Sequence, residues 1–268
     1  MEPLLLTLAL LAYLLVAVLR LPGVVEASTR TTRVGDVAMW AAPLLHMVGL
    51  TLLALRLQTL PILSAGQSLL SLACILGVAN VLLRKQPRAE VLAGVLSALC
   101  VTLVGLGLIL PNQVSKAPEG LSSLWFPLHA AMILLGLGGF ALAFGVSALY
   151  LVVRDRLKRK RLADLGRLPS IDALDRLNTR FILLGFLALT FGIATGGLWA
   201  VSRPQATAPL GATVYASLVL WGWYAAAVLV RVVGGWRGPL AAHFSVVGFL
   251  GLVVGLGAIV LSASGWHG

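Results

Sequence analysis

The side chains with the widest chemical repertoire in this sequence are its four histidines. An imidazole can carry a proton near neutral pH or bind a transition metal through either ring nitrogen. His46 lies inside an apolar run, His129 follows the aromatic stretch Trp125–Pro127, His243 stands at the start of the last apolar run, and His267 is the penultimate residue. What these groups can do depends on which of them the fold brings to the same place.

Other chemistry is poorly supported by the remaining residues. Cys74 and Cys100 both lie in apolar runs, so they provide neither a disulfide framework nor a thiolate metal cage, and we interpret them as packing residues. The sequence lacks a Gly-Lys-Ser/Thr phosphate loop, a His-Glu-x-x-His zinc site and a Gly-x-Ser-x-Gly nucleophile elbow. We therefore expect no hydrolytic or nucleotide chemistry and predict no catalytic residue.

Composition predicts that a membrane positions the histidines. Of the 268 residues, 59% are hydrophobic and 11% charged, and the mean hydropathy is +1.00, whereas soluble domains contain about 25% charged residues. A helix that crosses the hydrocarbon core needs about 20 mostly apolar residues. Eight stretches qualify, which predicts an all-α, polytopic membrane bundle of about eight transmembrane helices forming one domain over residues 1–268. The predicted spans are approximately Pro3–Leu19, Val37–Leu55, Pro61–Leu83, Val91–Leu110, Leu124–Val153, Phe181–Ala200, Pro209–Val230 and Ala242–Ser262.

Basic residues are distributed very unevenly among the connections between these spans. The connections after spans one, three, five and seven hold 17 of the 20 Lys and Arg residues, and the other three connections hold one each. Because connections rich in Lys and Arg stay in the cytoplasm, we expect both termini to face outward. The long cytoplasmic loop 154–180 carries six basic residues between Arg154 and Arg161. We interpret this cluster as an anchor on anionic lipid, with a docking surface for a cytoplasmic partner as the alternative.

The charges also argue against several classes of protein. All nine acidic residues lie outside the predicted spans, whereas ion-coupled transporters keep carboxylates in the bilayer to carry the coupling ion. The net charge of +11 comes from basic residues placed between apolar runs, so they form no continuous solvated face for nucleic acid. A small-molecule exporter remains open, although nothing beyond the eight spans favours it.

This topology brings two of the histidines to one membrane face. His129 opens span five on the outer side and His267 follows span eight on the same side, so the pair could bind the two axial positions of a haem iron. Contact with lipid headgroups is the alternative for each. His46 lies near the middle of span two and needs either a hydrogen bond from a neighbouring helix or a ligand. We expect His243 to be interfacial.

Two local patterns add structural expectations. Ser170 can cap a segment in which Ile171, Leu174 and Leu177 recur at near-helical spacing, which predicts an interfacial helix leading into span six. Glycine accounts for 29 residues and is concentrated in the spans, including the pair Gly251 and Gly255. Small residues allow membrane helices to approach closely, so we expect these glycines at helix contacts.

Three groups of segments occur in a recognisable order. The middle group consists of Leu168–Asn178, Arg180, Gly185-Phe186, Gly192–Gly196 and Trp199-Ala200. Before it come Leu128-His129-Ala130 and Gly138–Phe144, and after it come Gly235–Gly238, Gly248-Phe249 and Ser264–His267. Together they resemble the cytochrome c assembly protein family, which includes CcsA, HemX-like and YpjD-like membrane proteins. The resemblance covers roughly residues 40 to 268.

The resemblance implies a haem-handling protein of cytochrome c biogenesis in the bacterial cytoplasmic membrane. By that resemblance His129 and His267 would be the outer-face axial ligands of haem iron, and His46 would match a histidine within the membrane. Arg203 could pair with a haem propionate. Apocytochrome c and a membrane partner with an outer domain are the implied partners. The chain would at most be part of a cytochrome c synthase complex and offers no enzyme chemistry of its own.

The sequence departs from the family pattern at two places. Members of the CcsA type carry a tryptophan-rich outer loop ending in Trp-Asp-Pro-Lys-Glu between spans six and seven, and here the Asp and Glu positions fall on Gly211 and Val214. A family histidine near the end of span seven falls on Leu229. These departures keep an alternative open: a non-haem, HemX-like scaffold or regulator of tetrapyrrole synthesis or cytochrome assembly.

Overall fold

A computed structural model describes residues 1–21, 29–86, 88–110, 124–160, 168–201, 212–235 and 238–263, and only the backbone of 29–32, 212–213 and 256–263. This part of the chain forms helices and no strand. The helices are α1 (Glu2–Arg20), α2 (Thr29–Leu57), α3 (Ala65–Leu83), α4 (Glu90–Ile109), α5 (Trp125–Lys158), α6 (Ile171–Val201), α7 (Ala212–Val232) and α8 (Pro239–Ala263).

Length and composition identify most of these helices as membrane spans. Among the fully described residues, seven helices are long and apolar enough to cross a bilayer, and the apolar stretch Pro239–Gly255 of α8 is shorter than the other seven. Each of the eight predicted spans overlaps one helix. The predicted all-α, polytopic membrane fold is confirmed, and the protein is a multi-pass membrane protein.

Contacts divide the chain into two compact units. Unit 1 comprises residues 1–117 and 152–173, and unit 2 comprises residues 118–151 and 174–268. Unit 1 therefore contains α1 to α4, and unit 2 contains most of α5 and α6 together with α7 and α8. The prediction of one membrane domain over residues 1–268 stays a prediction.

In unit 1, α1 packs against α2 and α4, and α3 packs against α4. Hydrogen bonds also join α3 to α4. The buried Asn80 amide of α3 donates to the Ala93 carbonyl at 3.1 Å and to Ser97 Oγ at 3.0 Å, both in α4. The start of α3 is fixed by Ser64, whose hydroxyl accepts from the Gln67 backbone N–H at 3.2 Å. This side chain satisfies one of the N–H groups that a helix start leaves unpaired.

In unit 2, glycines bring α5 and α6 into backbone contact. A Cβ added at Gly139 would lie 2.7 Å from Gly185 Cα, and one added at Gly136 would lie 3.0 Å from the Leu189 nitrogen. The expected role of span glycines in close helix packing is confirmed at these positions. Behind this seam, Phe140 of α5 stacks on Tyr224 of α7.

One local expectation differs from the structure. Ser170 does cap a helix, since its hydroxyl accepts from the Ala173 N–H at 3.2 Å. That helix, however, continues without interruption from Ile171 to Val201, so the predicted interfacial helix and span six are one element. The reason is local, because no proline or glycine separates Ile171 from the apolar run that starts at Phe181.

Candidate functional site

The His129 side chain is held in a defined orientation in the second turn of α5. Its Nδ1 atom lies 2.7 Å from the backbone carbonyl oxygen of Gly192 in α6. A carbonyl only accepts hydrogen bonds, so Nδ1 carries the proton and donates it, and the lone pair is left on Nε2. Histidines that bind metals usually have this arrangement, in which one ring nitrogen donates to a carbonyl and the other faces the metal.

Space for this imidazole depends on a glycine one turn further along α6. A Cβ at Gly196 would lie 2.6 Å from His129 Nδ1, which is closer than any real contact. The ring of Trp199 stacks beside the imidazole, with centroids 6.3 Å apart and planes inclined by 19°. Phe126 packs on the same indole at 5.0 Å. His129 is therefore half-buried in an aromatic cluster at the end of α5 that is predicted to face outward.

An apolar cavity of about 320 Å³ lies in the same unit. It is lined mainly by aliphatic residues and glycines from α5 to α8 and includes Ile133, one turn after His129. Gly251 and Gly255 line this cavity, and nothing lies within 4 Å of the position of a Cβ at either residue. The expectation that this pair lies at a close helix contact is therefore wrong in the described structure. Beside these two glycines there is open cavity space and no closely packed neighbouring helix.

His46 lies fully buried in α2 of unit 1. Its Nδ1 is 3.5 Å from the Tyr13 hydroxyl of α1, and the two rings meet edge to face. Nε2 is buried and makes no hydrogen bond of good geometry among the described residues, although the Leu70 backbone lies close enough to interact with the imidazole. An unpaired polar atom in this position is costly unless a ligand satisfies it, so the structure leaves both sequence interpretations of His46 in place.

The remaining predicted site residues fall outside the described residues or away from this cluster. His267 and Arg203 both lie outside the described residues, so the proposed outer-face pair and the propionate contact stay predictions. His243 is exposed at the start of α8, with Nδ1 at 2.5 Å from the Pro239 carbonyl. Among the described residues, no group of three or more His, Cys, Asp or Glu side chains could hold a metal ion.

Sequence reasoning missed a buried ion pair in unit 2. Arg231 Nη2 lies 2.8 Å from Asp175 Oδ2 and donates to the Asp175 carbonyl at 2.9 Å. The other carboxylate oxygen accepts from the Gly238 N–H at 3.1 Å. The predicted topology places the ends of α6 and α7 that carry these residues together on the cytoplasmic side. This shared location is the feature of the sequence that could have suggested the ion pair.

Comparison with known proteins decides the family. The sequence profile described as "Cytochrome C assembly protein" matches residues 4–267. The chain belongs to this family. It is 27% identical over 201 residues to the cytochrome c biogenesis protein CcsA of Synechococcus sp. (strain CC9605), covering 63% of this chain and 66% of that relative, which is just under two thirds of its length.

Two other CcsA proteins align over a larger share of both chains. The identity is 26% over 239 residues with CcsA of Prochlorococcus marinus (strain NATL2A), covering 77% of this chain and 75% of the relative. With CcsA of Cyanidium caldarium it is 23% over 228 residues, covering 74% and 76%. The resemblance to the cytochrome c assembly protein family seen in the sequence is thus confirmed, and the chain is a member of that family with CcsA proteins among its relatives.

Proposed function

We propose that this cytochrome c assembly family protein handles haem during cytochrome c biogenesis and presents it at the outer membrane face. The observation that supports this most directly is the hydrogen bond from His129 Nδ1 to the Gly192 carbonyl. It leaves Nε2 as the only ring nitrogen with a free lone pair, which suits an axial ligand of iron. His267 is the proposed second ligand on the same face.

Each unit, taken by itself, offers a feature that supports the proposal. His46 presents a buried Nε2 atom without a hydrogen bond of good geometry among the described residues, and unit 2 contains an apolar cavity in which His129's neighbour Ile133 is a lining residue. A bound haem supplies an iron whose axial positions accept imidazole nitrogens. In this proposal His129 and His267 would fill the two axial positions of one haem at the outer face, and Arg203 would pair with its propionate. His46 would contact haem at a separate position within the membrane.

The same proposal includes location and partners. The chain works in the bacterial cytoplasmic membrane, among lipid, and passes haem to apocytochrome c beside a membrane partner that carries an outer domain. This chain binds and orients haem, and any synthase activity belongs to its complex with that membrane partner.

The test is the reduced-minus-oxidised visible spectrum of the protein purified in mild detergent. We expect a bis-histidine haem spectrum that is lost or strongly reduced in His129→Ala and in His267→Ala. His243→Ala is the matched control, because that histidine is exposed at the start of α8 and lies outside the cluster. A spectrum that survives the double variant His129→Ala, His267→Ala unchanged contradicts the proposal.

A second candidate function is a non-haem scaffold or regulator of tetrapyrrole or cytochrome assembly. It is favoured by Leu229, which stands where family members have a histidine and is 61% exposed on α7. This alternative predicts protein that never acquires haem, and partners that bind the basic segment between α5 and α6. Charge reversal at Lys158 and Arg159 with no change in co-purifying partners would count against it.

A further inference from the structure

A cationic cavity lies at one end of unit 1, and neither Tyr13 nor His46 is among the residues that line it. Its volume is about 400 Å³. It is formed where α1 and α3 end and where α4 begins, with one turn of α2 along its side. The charge distribution predicts that all these helix ends face the cytoplasm.

The lining of the cavity carries more positive than negative charge. Four basic side chains line it, namely Arg20, Arg84, Lys85 and Arg88, against the two carboxylates of Asp36 and Glu90. Arg20 pairs with Asp36, so among the described lining residues Glu90 is the one carboxylate left to balance the other three basic side chains. An excess of cations in a partly enclosed space attracts an anion more strongly than the same charges do on an open surface.

Packing holds Arg20 in the wall of the cavity. The Arg20 side chain is only 11% exposed, and its guanidinium lies against Gly35, where a Cβ would be 3.4 Å from Nε. That Nε atom is buried and has no hydrogen-bond partner among the described residues. Arg20 is thus a fixed part of the wall, and the basic side chains free to meet a ligand are Arg84, Lys85 and Arg88.

The other wall combines a cation with an aromatic ring. The Arg84 guanidinium lies 4.8 Å from the centre of the Trp40 ring, and the indole is 45% exposed. Such cation–π contact orients the guanidinium, and tryptophan is the side chain most typical of the membrane interface. The floor is apolar, since the lining residues Met39 and Ala93 belong to a buried cluster with Val16, Ala38 and Val81.

We propose that this cavity binds a phosphate group, and that the phosphate belongs to an anionic phospholipid of the cytoplasmic leaflet. Arg84, Lys85 and Arg88 face the phosphate oxygens, and Arg20 together with Asp36 forms part of the wall. Basic pockets between membrane helices on the cytoplasmic side are suited to lipid headgroups. The exposed Trp40 at the same level favours a lipid over a soluble phosphate ester.

The test uses the full chain, delipidated in detergent, and native mass spectrometry with phosphatidylglycerol, phosphatidylcholine or inorganic pyrophosphate. We expect phosphatidylglycerol to bind more tightly than phosphatidylcholine, and the double variant Arg84→Gln, Lys85→Gln to weaken it roughly tenfold or more. The matched control is Arg176→Gln, Arg180→Gln, which removes two exposed charges of α6 outside the cavity and outside the basic cluster 154–161 and should leave binding unchanged. The charge-preserving variant Arg84→Lys, Lys85→Arg should retain binding and shows that the site is folded.

Each result decides the proposal. Pyrophosphate that binds the wild type without lipid, and loses affinity in the Gln variant, supports the phosphate site with a soluble source in place of the lipid. Equal binding of the two lipids, or equal loss in the cavity variant and the control variant, overturns it. Loss of binding in the charge-preserving variant while its melting temperature is unchanged also overturns it, because charge is then not what the ligand recognises.

Discussion

At the scale of single residues, the His129 site depends as much on an absent side chain as on the imidazole. Gly196 faces the ring where any Cβ would overlap Nδ1. The Thr195 hydroxyl donates to the Phe191 carbonyl at 2.8 Å and also lies 3.0 Å from the Gly192 carbonyl that His129 uses. One turn of α6, from Gly192 to Gly196, therefore sets the orientation of the His129 imidazole.

We expect Gly196→Ala to displace the His129 ring and to lower the haem content of the purified protein. The physical reason is the 2.6 Å separation between a Cβ at this position and Nδ1. Haem per protein, measured from the visible spectrum, checks the prediction. Gly197→Ala is the control, because nothing lies within 4 Å of its Cβ position, and equal haem content in the two variants would refute the steric argument.

A second glycine makes room for the tyrosine side chain that contacts His46. The Tyr13 hydroxyl lies against Gly77, where a Cβ would overlap it. We expect Gly77→Ala to destabilise the protein by about 1–3 kcal/mol, as overpacking of a tight core does. Thermal unfolding in detergent measures this, with Gly105→Ala as the control at a position open to at least 4 Å. A melting temperature equal to that of the control contradicts the prediction.

At the scale of elements, the Asp175–Arg231 pair ties α6, α7 and the turn before α8 together. The arginine and carboxylate side chains are 8% and 17% exposed, so water screens them little. Gly238 supplies its N–H to the carboxylate from a backbone with φ of 79°, which suits glycine. Arg231 Nη1 has no hydrogen-bond partner among the described residues. The Asp175 carboxylate is therefore the main group that offsets the buried positive charge of Arg231.

We expect Asp175→Asn to destabilise the protein by roughly 1–3 kcal/mol, because it leaves the Arg231 charge buried without a counter-charge. Asp155→Asn is the matched control, since Asp155 pairs with Arg159 on an exposed helix surface and such pairs contribute about 0.5 kcal/mol or less. Melting temperatures in detergent distinguish the two. Equal shifts would show that the buried pair contributes no more than a surface pair.

At the scale of the whole molecule, the arrangement of charge predicts the orientation in the membrane. Leu60 lies in the connection between α2 and α3 and is 49% exposed, on the side predicted to face outward. Lys160 lies just after α5, on the side predicted to face the cytoplasm, and is exposed. The same charge pattern predicts that the His129 cluster faces outward.

We expect Leu60→Cys, but not Lys160→Cys, to react with a membrane-impermeant maleimide in spheroplasts whose cytoplasmic membrane is intact. Both variants are made in a background in which Cys74 and Cys100 are replaced by alanine. Permeabilised cells provide the control, in which both positions should be labelled. Labelling of Lys160→Cys alone in intact spheroplasts would invert the topology and move the His129 cluster to the cytoplasmic face.

The sequence alone determined the approximate positions of the apolar helices and the Ser170 cap, because each depends on composition or on neighbours a few residues away. It did not determine which faces of the helices meet. Lipid is as apolar as a helix interface, so the hydrophobic pattern does not separate the buried Leu189 from the exposed Val219. Only the tertiary structure paired His129 with Gly192 and Asp175 with Arg231, since each pair joins residues more than 50 positions apart.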